Sequence, residues 1–390
     1  MGLSQNRCDV LIIGGGPAGL AAAIALRRCG IDVLLADART PPIDKACGEG
    51  IMPDSRRELA GLGVDLNPAQ GAPFRGIRFC DEHSTASGAF RSGEGIGLRR
   101  IVLHSLLVEH ARQAGVRMRW GSPVSLHPAQ PPSFSGEPVL YRYVIGADGL
   151  SSRVRTWAGL DRGTLHTRRY GFRMHYRIPP WSPSVEVHWG PLGQAYVTPV
   201  GADEICVAVV TRFAFATHHR TPVRCSQIMD SIPALKEKLG HAEVSTRERG
   251  SITTTRTLPR VVRGNIALLG DASGSVDAIT GEGLAMAFRQ ASLLAAAVQS
   301  GSLAPYTAGH AKTMSLPRTL ARGLLLMDRH PAVRRKVLRI LAGDRLLFDQ
   351  LLRVHLGKQP LHRFFLEQAP RLGCRLLLPC RPDLTIGEPT

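Results

Sequence analysis

Apolar and polar positions follow different periods along the chain, and the first part of the sequence shows the pattern of buried parallel strands. Residues 8–13 and 31–37 are short, mostly apolar segments of the kind found in such strands. Residues 20–26 between them favour a helix, and Gly30 follows where a C-cap glycine is expected. The three elements predict a β-α-β unit of about 30 residues, the length that this motif requires.

The apolar period changes further along the chain. Residues 168–211 alternate with a period of two, which predicts strands of an antiparallel sheet. Buried strands are predicted again at 141–147 and 266–270, and the helical period predicts helices at 98–114 and 283–298. Two kinds of sheet are therefore expected in one chain.

The order of these elements predicts an α/β protein with one domain assembled from separated segments. The parallel strands and their helices form a Rossmann-like nucleotide-binding domain, and the antiparallel sheet forms a second domain beside it. The predicted segments are 7–73, 98–166 and 250–300 for the first domain, 74–97 and 167–249 for the second, and 301–390 for a helical C-terminal region.

The turn after the first strand carries the sequence Gly14-x-Gly16-x-x-Gly19. The first glycine permits a tight turn, the second lets the backbone approach a pyrophosphate, and the third lets helix and strand pack closely. The helix that begins here includes Ala18, and the positive end of its dipole faces the phosphates. Asp37 ends the second strand, where a carboxylate accepts a hydrogen bond from a ribose hydroxyl. These residues predict a dinucleotide site without separating FAD from NAD(P).

Two later motifs indicate which of the two cofactors the site binds. Asp148-Gly149 follows one predicted parallel strand, Asp271 ends another, and Gly281 and Gly283 open the next helix. This arrangement resembles the Asp-Gly and Gly-Asp motifs of the aromatic hydroxylase superfamily, the group A flavin monooxygenases. An Asp at the strand end can accept from a ribitol hydroxyl, and the helix N-terminus can face the flavin's pyrimidine carbonyl, where negative charge grows on reduction.

The resemblance has several implications for the cofactor and the fold. It implies FAD as the cofactor, NAD(P)H as the electron donor and a p-hydroxybenzoate hydroxylase-like fold with an antiparallel-sheet substrate domain. Arg100 occupies the place of an FAD-contacting arginine in this superfamily. Ala278 stands where the superfamily usually has a proline that shapes the loop beside the flavin.

The segment at residues 44–50 indicates a branch of the superfamily. Lys45-x-Cys47-Gly-x-Gly resembles a stretch of the geranylgeranyl reductase-like flavoproteins, and similar stretches occur in oxygenating relatives. Cys47 lies near the flavin on this interpretation, or is a small buried thiol in a tight turn. Lys45 pairs with a flavin phosphate or is solvated. The Trp-x-Trp-x-Ile-Pro stretch of the flavin-dependent halogenases does not occur in the sequence, so halogenation is not expected.

The antiparallel sheet is where a substrate pocket is expected. Alternation places Arg173 and His175 on one face of their strand, and His188 and Tyr196 are further candidates to line the cavity. Together with Cys47 they are the candidate catalytic residues, with core packing or a solvated sheet face as the alternative for each. No metal-ligand constellation stands out, as expected when a cofactor carries the chemistry.

Charge and cysteine content narrow the range of partners. The net charge is +18, from 49 Lys+Arg against 31 Asp+Glu, which favours anionic partners, but no nucleic-acid-binding signature accompanies it. The eight cysteines show neither metal spacing nor a Cys-x-x-Cys redox pair. No apolar run is long enough to span a membrane, and no signal peptide is indicated. We expect a cytoplasmic protein that binds no nucleic acid; its oligomeric state stays open.

The tail from about residue 317 alternates leucine with arginine at helical spacing. It is a helical cap over the substrate pocket, a peripheral membrane contact through its basic helices, or a packed appendage with a wet basic face. A small lipophilic or aromatic substrate suits the first two.

The favoured reaction is NAD(P)H-dependent monooxygenation of a phenolic, polyketide-derived or lipid-like substrate. One alternative is a geranylgeranyl reductase-like enzyme that saturates isoprenoid double bonds. A second alternative is a prenyl-binding chaperone, which would use the same fold without redox chemistry.

Overall fold

The computed structural model describes residues 6–213 and 223–368. The strands within these ranges are β1 Val10–Ile13, β2 Val33–Ala36, β3 Gly50–Ile51, β4 Ala72–Phe74, β5 Gly76–Cys80, β6 Thr85–Ala89, β7 Gly95–Gly97, β8 Arg117–Arg119, β9 Ser133–Phe134, β10 Glu137–Pro138, β11 Tyr143–Gly146, β12 Thr164–Arg177, β13 Val185–Trp189, β14 Gln194–Pro199, β15 Glu204–Thr211, β16 Glu243–Val244, β17 Arg249–Thr257, β18 Val262–Arg263 and β19 Ile266–Leu268. The α-helices are α1 Pro17–Arg28, α2 Pro53–Gly61, α3 Arg100–Gln113, α4 Arg153–Trp157, α5 Cys225–Asp230, α6 Pro233–Leu239, α7 Gly283–Gln299, α8 Ala304–Arg329, α9 Pro331–Ala342 and α10 Arg345–His355.

The first sheet has six strands in the order β18-β19-β11-β1-β2-β8. All neighbours in it are parallel except β18 and β19. Helices α1, α3 and α7 bury their apolar faces in one core with this sheet. The predicted α/β fold with a Rossmann-like β-α-β unit is confirmed.

Local sequence explains where α1 begins and ends. Gly16 is the N-cap, Pro17 fixes the first helical φ, and the alanine-rich interior has high helix propensity. Gly30 has a φ of 76°, which suits the residue just past the end of a helix. The N-cap has no side-chain hydrogen bond, so the first N–H groups of the helix are free to face a ligand.

The second sheet has eight strands, in the order β16-β12-β15-β14-β13-β5-β6 with β17 also paired to β12. The period-two segment contributes β12–β15, as predicted. One face of this sheet packs on α5 and α6. The third segment of the nucleotide-binding domain was predicted to begin at residue 250. In the structure β17 pairs with β12 from Thr164 to Arg173, so β17 belongs to the substrate sheet.

The C-terminal helices cover the far edge of the second sheet. Helix α8 begins at Ala304, earlier than the Leu-rich and Arg-rich pattern indicated, and continues through Pro317. Buried side chains of α9 and α10 share an apolar cluster with Ala86 of β6. Residues 369–390, the end of the predicted helical region, lie outside the described residues. No described helix has the length and hydropathy needed to cross a bilayer.

Candidate active site

A cavity of about 770 Å³ is lined by residues of both sheets. One part is formed by the glycine turn after β1 and the segments that follow β2, β11 and β19. The other part is formed by β12–β14 and by side chains of α8 and α10. The carboxyl ends of the parallel strands thus meet the substrate sheet, the place where open α/β sheets bind ligands.

The three fingerprint glycines differ in what surrounds them. A Cβ added to Gly14, whose φ is 116°, would lie 2.3 Å from the Ala147 carbonyl oxygen, and one on Gly19 would lie 1.9 Å from the Gly14 oxygen. A Cβ on Gly16 would meet no protein atom within 4 Å, since it points into the cavity. The first and third glycines therefore serve close packing, and the second leaves space for a ligand.

Four other cavity glycines also face open space. A Cβ on any of them would meet no protein atom within 4 Å; they are Gly48, Gly149, Gly281 and Gly283. Arg100 lines the same cavity, and its buried Nε has no hydrogen-bond partner among the described residues. These features fit a flavin dinucleotide. The glycine backbone is open to the ligand, Arg100 has an unused donor, and the N-termini of α1 and α7 are not capped by a side chain.

The carboxylates predicted to bind the cofactor already have partners. Asp37 lines the cavity, and its Oδ2 accepts from the Gly15 N–H at 2.8 Å. Asp148 accepts from the Ser152 hydroxyl and from the N–H groups of Arg153 and Val154, so it holds the start of α4. Its hydrogen bonds shape the turn at Gly149 and leave it little capacity for a ligand.

Lys45 and Asp271 form an ion pair on the wall of the cavity. Their Nζ and Oδ2 atoms are 2.9 Å apart, and both side chains are partly exposed. The positive charge of Lys45 lowers the pKa of Asp271. Both residues line the cavity, so either can turn toward a ligand.

A buried network that sequence reasoning missed lies behind this segment. Glu49, with a φ of 58°, places its carboxylate 2.6 Å from His175 Nε2 and accepts from the Arg100 N–H at 2.9 Å. Arg173 binds both oxygens of Asp44, at 2.6 and 2.8 Å, and lies 3.6 Å from Glu49. The network fixes residues 44–49 beside the cavity. No signal within the local sequence indicates that Glu49 would be buried.

The same network bears on metal binding. Glu49, His175 and Cys206 could hold a metal ion, because their ligand atoms lie within 4.8 Å of one another. The guanidinium of Arg173 stands beside the same carboxylate, however, and the Arg100 N–H occupies one of its oxygens. A positive charge already in place disfavours a second cation. We therefore interpret the cluster as a hydrogen-bonded ion network.

Three of the candidate catalytic residues do not line the cavity, which corrects the expectation from sequence. Arg173 and His175 do face the nucleotide-binding domain, but residues 44–49 cover them. His188 points to the other face of β13, because its neighbour Val187 faces the cavity, and its Nε2 lies 2.9 Å from Glu186. The alternating pattern correctly placed Arg173 and His175 on one face of β12, but it did not show that residues 44–49 pack against that face.

Tyr196 and Cys47 do line the cavity. The Tyr196 hydroxyl donates to the Ile279 carbonyl at 3.1 Å, and burial raises its pKa well above the ordinary value. The Cys47 sulfur accepts from the Glu49 N–H at 3.3 Å. Ala278, at the position of the superfamily's usual proline, donates its N–H to Thr253 Oγ1 at 2.9 Å, a bond that proline cannot make.

Sequence reasoning also missed the cavity residues of the tail. Helix α8 contributes Leu320 and Leu324, and α10 contributes Phe348, Leu351 and His355. Their spacing of three and four residues is the one signal in the sequence that they share a helix face. The helical cap over the pocket, one of the three interpretations of the tail, therefore has a structural basis.

Comparison with known proteins agrees with this architecture. Residues 7–316 match the family model described as "FAD binding domain". Over 77% of its length the chain is 28% identical to a menaquinone reductase of Mycobacterium tuberculosis strain H37Rv, covering 78% of that protein. It is 27% identical to the chloroplastic geranylgeranyl diphosphate reductase of Arabidopsis thaliana, with 77% and 67% covered. For the hispidin-3-hydroxylase of Neonothopanus nambi the identity is 24%, with 77% and 82% covered.

Among solved structures, a triple mutant of the flavin-dependent brominase Bmp2 matches with a TM-score of 0.75 at 18% identity, over 94% of this chain and all of that one. At this identity the match shows the p-hydroxybenzoate hydroxylase-like fold alone. The family match covers all three predicted segments of the dinucleotide-binding domain, including every glycine motif that lines the cavity. The chain therefore belongs to the FAD-binding-domain family and is an FAD-dependent oxidoreductase.

Proposed function

We propose that the protein saturates carbon–carbon double bonds of an isoprenoid-like chain. The observation that carries this proposal is the apolar part of the cavity, which extends from the flavin segments to the tail helices. Its wall includes Phe79, Val187, Leu324, Phe348, Leu351 and Leu352. A pocket of this composition gains its affinity from buried apolar surface, as a long hydrocarbon chain provides.

Hydroxylation of a phenol, the reaction favoured by the sequence, has less support from the geometry. A phenol site needs placed polar groups to orient one hydroxyl. The expected groups were Arg173, His175, His188 and Tyr196. Of these four only Tyr196 lines the cavity, and its hydroxyl donates to the Ile279 carbonyl. Two similar proteins, a menaquinone reductase and a geranylgeranyl diphosphate reductase, are reductases, which supports the same proposal as the apolar wall does.

We propose a division of roles among the cavity residues toward FAD. The N–H groups at Gly16 and Ala18 face the pyrophosphate, Asp37 the ribose, and Arg100 and Asp271 the polar middle of the cofactor. The free N–H groups at Gly283 face the pyrimidine edge. When bound and reduced, the flavin supplies a hydride, and NAD(P)H is the donor we expect to reduce it. The apolar wall holds the double bond against the flavin and keeps water out.

An anaerobic single-turnover experiment tests the reaction class. We expect the dithionite-reduced protein to reoxidise when mixed with geranylgeranyl diphosphate or with menaquinone in the absence of oxygen. Mass spectrometry should then find two added hydrogens for each saturated bond. Oxygen from labelled dioxygen in the product, with no anaerobic turnover, would instead establish the hydroxylase and end the reductase proposal.

We also propose that the tail touches a membrane surface, which would deliver such a substrate. Leu326, Leu346, Phe365 and Leu366 are large apolar side chains with exposures of 50%, 56%, 52% and 77%. The exposed face of α9 is rich in arginine and lysine. Exposed apolar groups beside basic ones are the pattern of interfacial helices.

Binding to vesicles tests the membrane contact. The double variant Phe365→Ser, Leu366→Ser should weaken binding to vesicles of phosphatidylserine and phosphatidylcholine at least tenfold, about 1.4 kcal/mol, because both side chains lose their insertion. Leu165→Ser is the matched control, since Leu165 is 47% exposed but lies on the substrate sheet. Binding should also weaken with salt. Equal binding to neutral and anionic vesicles at every salt concentration would contradict the contact.

A further inference from the structure

A buried pair of titratable residues lies where the flavin segments meet the tail. Glu282 is the N-cap of α7, between the cavity glycines Gly281 and Gly283. His355 is the last residue of α10 and lines the cavity. Its Nδ1 lies 4.0 Å from Glu282 Oε2, which is the distance of an ion pair when the imidazole is protonated and is too long for a hydrogen bond.

Glu282 has an unusual environment for a carboxyl group. The residue is 3% exposed, and neither carboxyl oxygen has a hydrogen-bond partner among the described residues. Burial raises its pKa; the charge of His355 opposes this shift, Asp54 adds to it and Arg289 opposes it. Arg289 is itself paired with Asp54 and Glu58, which leaves the imidazole of His355 beside Glu282.

Two other groups near the apolar wall, Tyr196 and Asp277, are already engaged in hydrogen bonds. The Tyr196 hydroxyl donates to a backbone carbonyl. Asp277 accepts from Arg169 at 3.0 Å and from the Ile279 N–H at 3.1 Å. Among the described tail residues that line the cavity, His355 alone can titrate. It therefore lies at the substrate cavity with a buried carboxyl group beside one of its ring nitrogens.

We propose that His355 is the acid that protonates the substrate double bond and that Glu282 is the residue that positions it. This inference rests on the proposed reductase function. A bound, reduced flavin would supply the hydride for one carbon, and the proton on His355 adds to the other. The π bond breaks, two C–H bonds form, the alkene is reduced and the flavin would be oxidised. Since Nδ1 faces Glu282, Nε2 is the nitrogen available to the substrate, and solvent returns the proton afterwards.

The pairing is tested without turnover, by histidine NMR on the FAD-loaded protein. In Glu282→Gln the His355 ring loses its carboxylate partner, so we expect the ring nitrogen signals of His355 to shift. Glutamine preserves the shape of the side chain, and FAD absorbance verifies the fold. The exposed His362 provides an internal control whose ring signals should not change. Unchanged ring signals of His355 would overturn the pairing.

The catalytic role is tested by anaerobic turnover of geranylgeranyl diphosphate. In His355→Gln, kcat should fall on the order of 10²- to 10⁴-fold with little change in KM. The wild-type rate should decline as pH rises and the acid loses its proton, and this decline should be absent in the variant. His362→Gln should behave as wild type. If the wild type reduces geranylgeranyl diphosphate and His355→Gln has the same rate and pH profile as the wild type, His355 is not the acid, although the proposed function stands. If the wild type reduces no double bond, the function fails and this role with it.

Discussion

Replacing Gly16 with valine should remove FAD from the protein while the apoprotein stays folded. The φ of Gly16 is −72° and its ψ 176°, an extended conformation that valine adopts readily. A Cβ at this position meets no protein atom within 4 Å, so the new side chain enters the cavity. There it would take the space that we propose for the FAD pyrophosphate and would remove hydrogen bonds from the N-terminus of α1. Hydrogen bonds to a charged group of this kind are worth about 1.5–3 kcal/mol.

The expected loss in FAD affinity is on the order of a hundredfold, about 3 kcal/mol, measured by titrating the apoprotein with FAD and following flavin fluorescence. Thermal unfolding of the apoprotein should change little, since valine in place of glycine at an N-cap costs about 1 kcal/mol or less. Undiminished FAD affinity would show that the pyrophosphate does not lie at this turn.

Gly19→Ala is the matched comparison within the same fingerprint. Its Cβ would lie 1.9 Å from the Gly14 carbonyl oxygen, so backbone must move before the residue fits. Overpacking of this kind costs about 1–3 kcal/mol, and the loss should appear as a lower melting temperature of the apoprotein. The two variants thus separate the ligand-facing glycine from the packing glycine, which share one motif.

The features that local sequence predicts well are those governed by short-range physics. The strand–glycine turn–helix unit follows from apolar runs, backbone freedom at glycine and helix propensity within some thirty residues. Asp37 and Asp271 line the cavity because each follows a strand of the parallel sheet, whose carboxyl ends share one edge. Order along the chain was sufficient to place them.

Features that depend on contacts between distant segments did not follow from the pattern. Alternation correctly put Arg173 and His175 on one face, but only the fold brings residues 44–49 against that face. In the same way β17 joins the substrate sheet because it pairs with β12 across a long sequence separation. The tail showed helical spacing without showing which surface it covers. The local pattern of residues therefore does not predict the pairing of distant segments, nor the arrangement of side chains that depends on this pairing.

Replacing Arg173 with methionine should destabilise the protein by about 3–5 kcal/mol, the usual cost of removing one partner from a buried ion pair. Its side chain is 3% exposed, and it binds both oxygens of Asp44 while lying close to the fully buried Glu49. Burial disfavours the charge of Arg173, but the Glu49 and Asp44 carboxylates outweigh this effect and raise its pKa. Methionine fills a similar volume, so the main loss is the charge that compensates the two carboxylates.

Arg177→Met is the control on the same strand. Arg177 is 65% exposed, and its partner Glu243 is 63% exposed, so this pair is worth about 1 kcal/mol or less. Urea unfolding of both variants measures the difference, and FAD affinity should fall in Arg173→Met alone, because Glu49 holds the Arg100 N–H at the start of α3. Equal stability of the two variants would mean that residues 44–49 are held by Thr198 and His175 without Arg173. Both arginines lie at hydrogen-bond distance from a carboxylate, Arg173 from Asp44 and Arg177 from Glu243. The expected difference in unfolding free energy between the two variants therefore comes from the burial of Arg173.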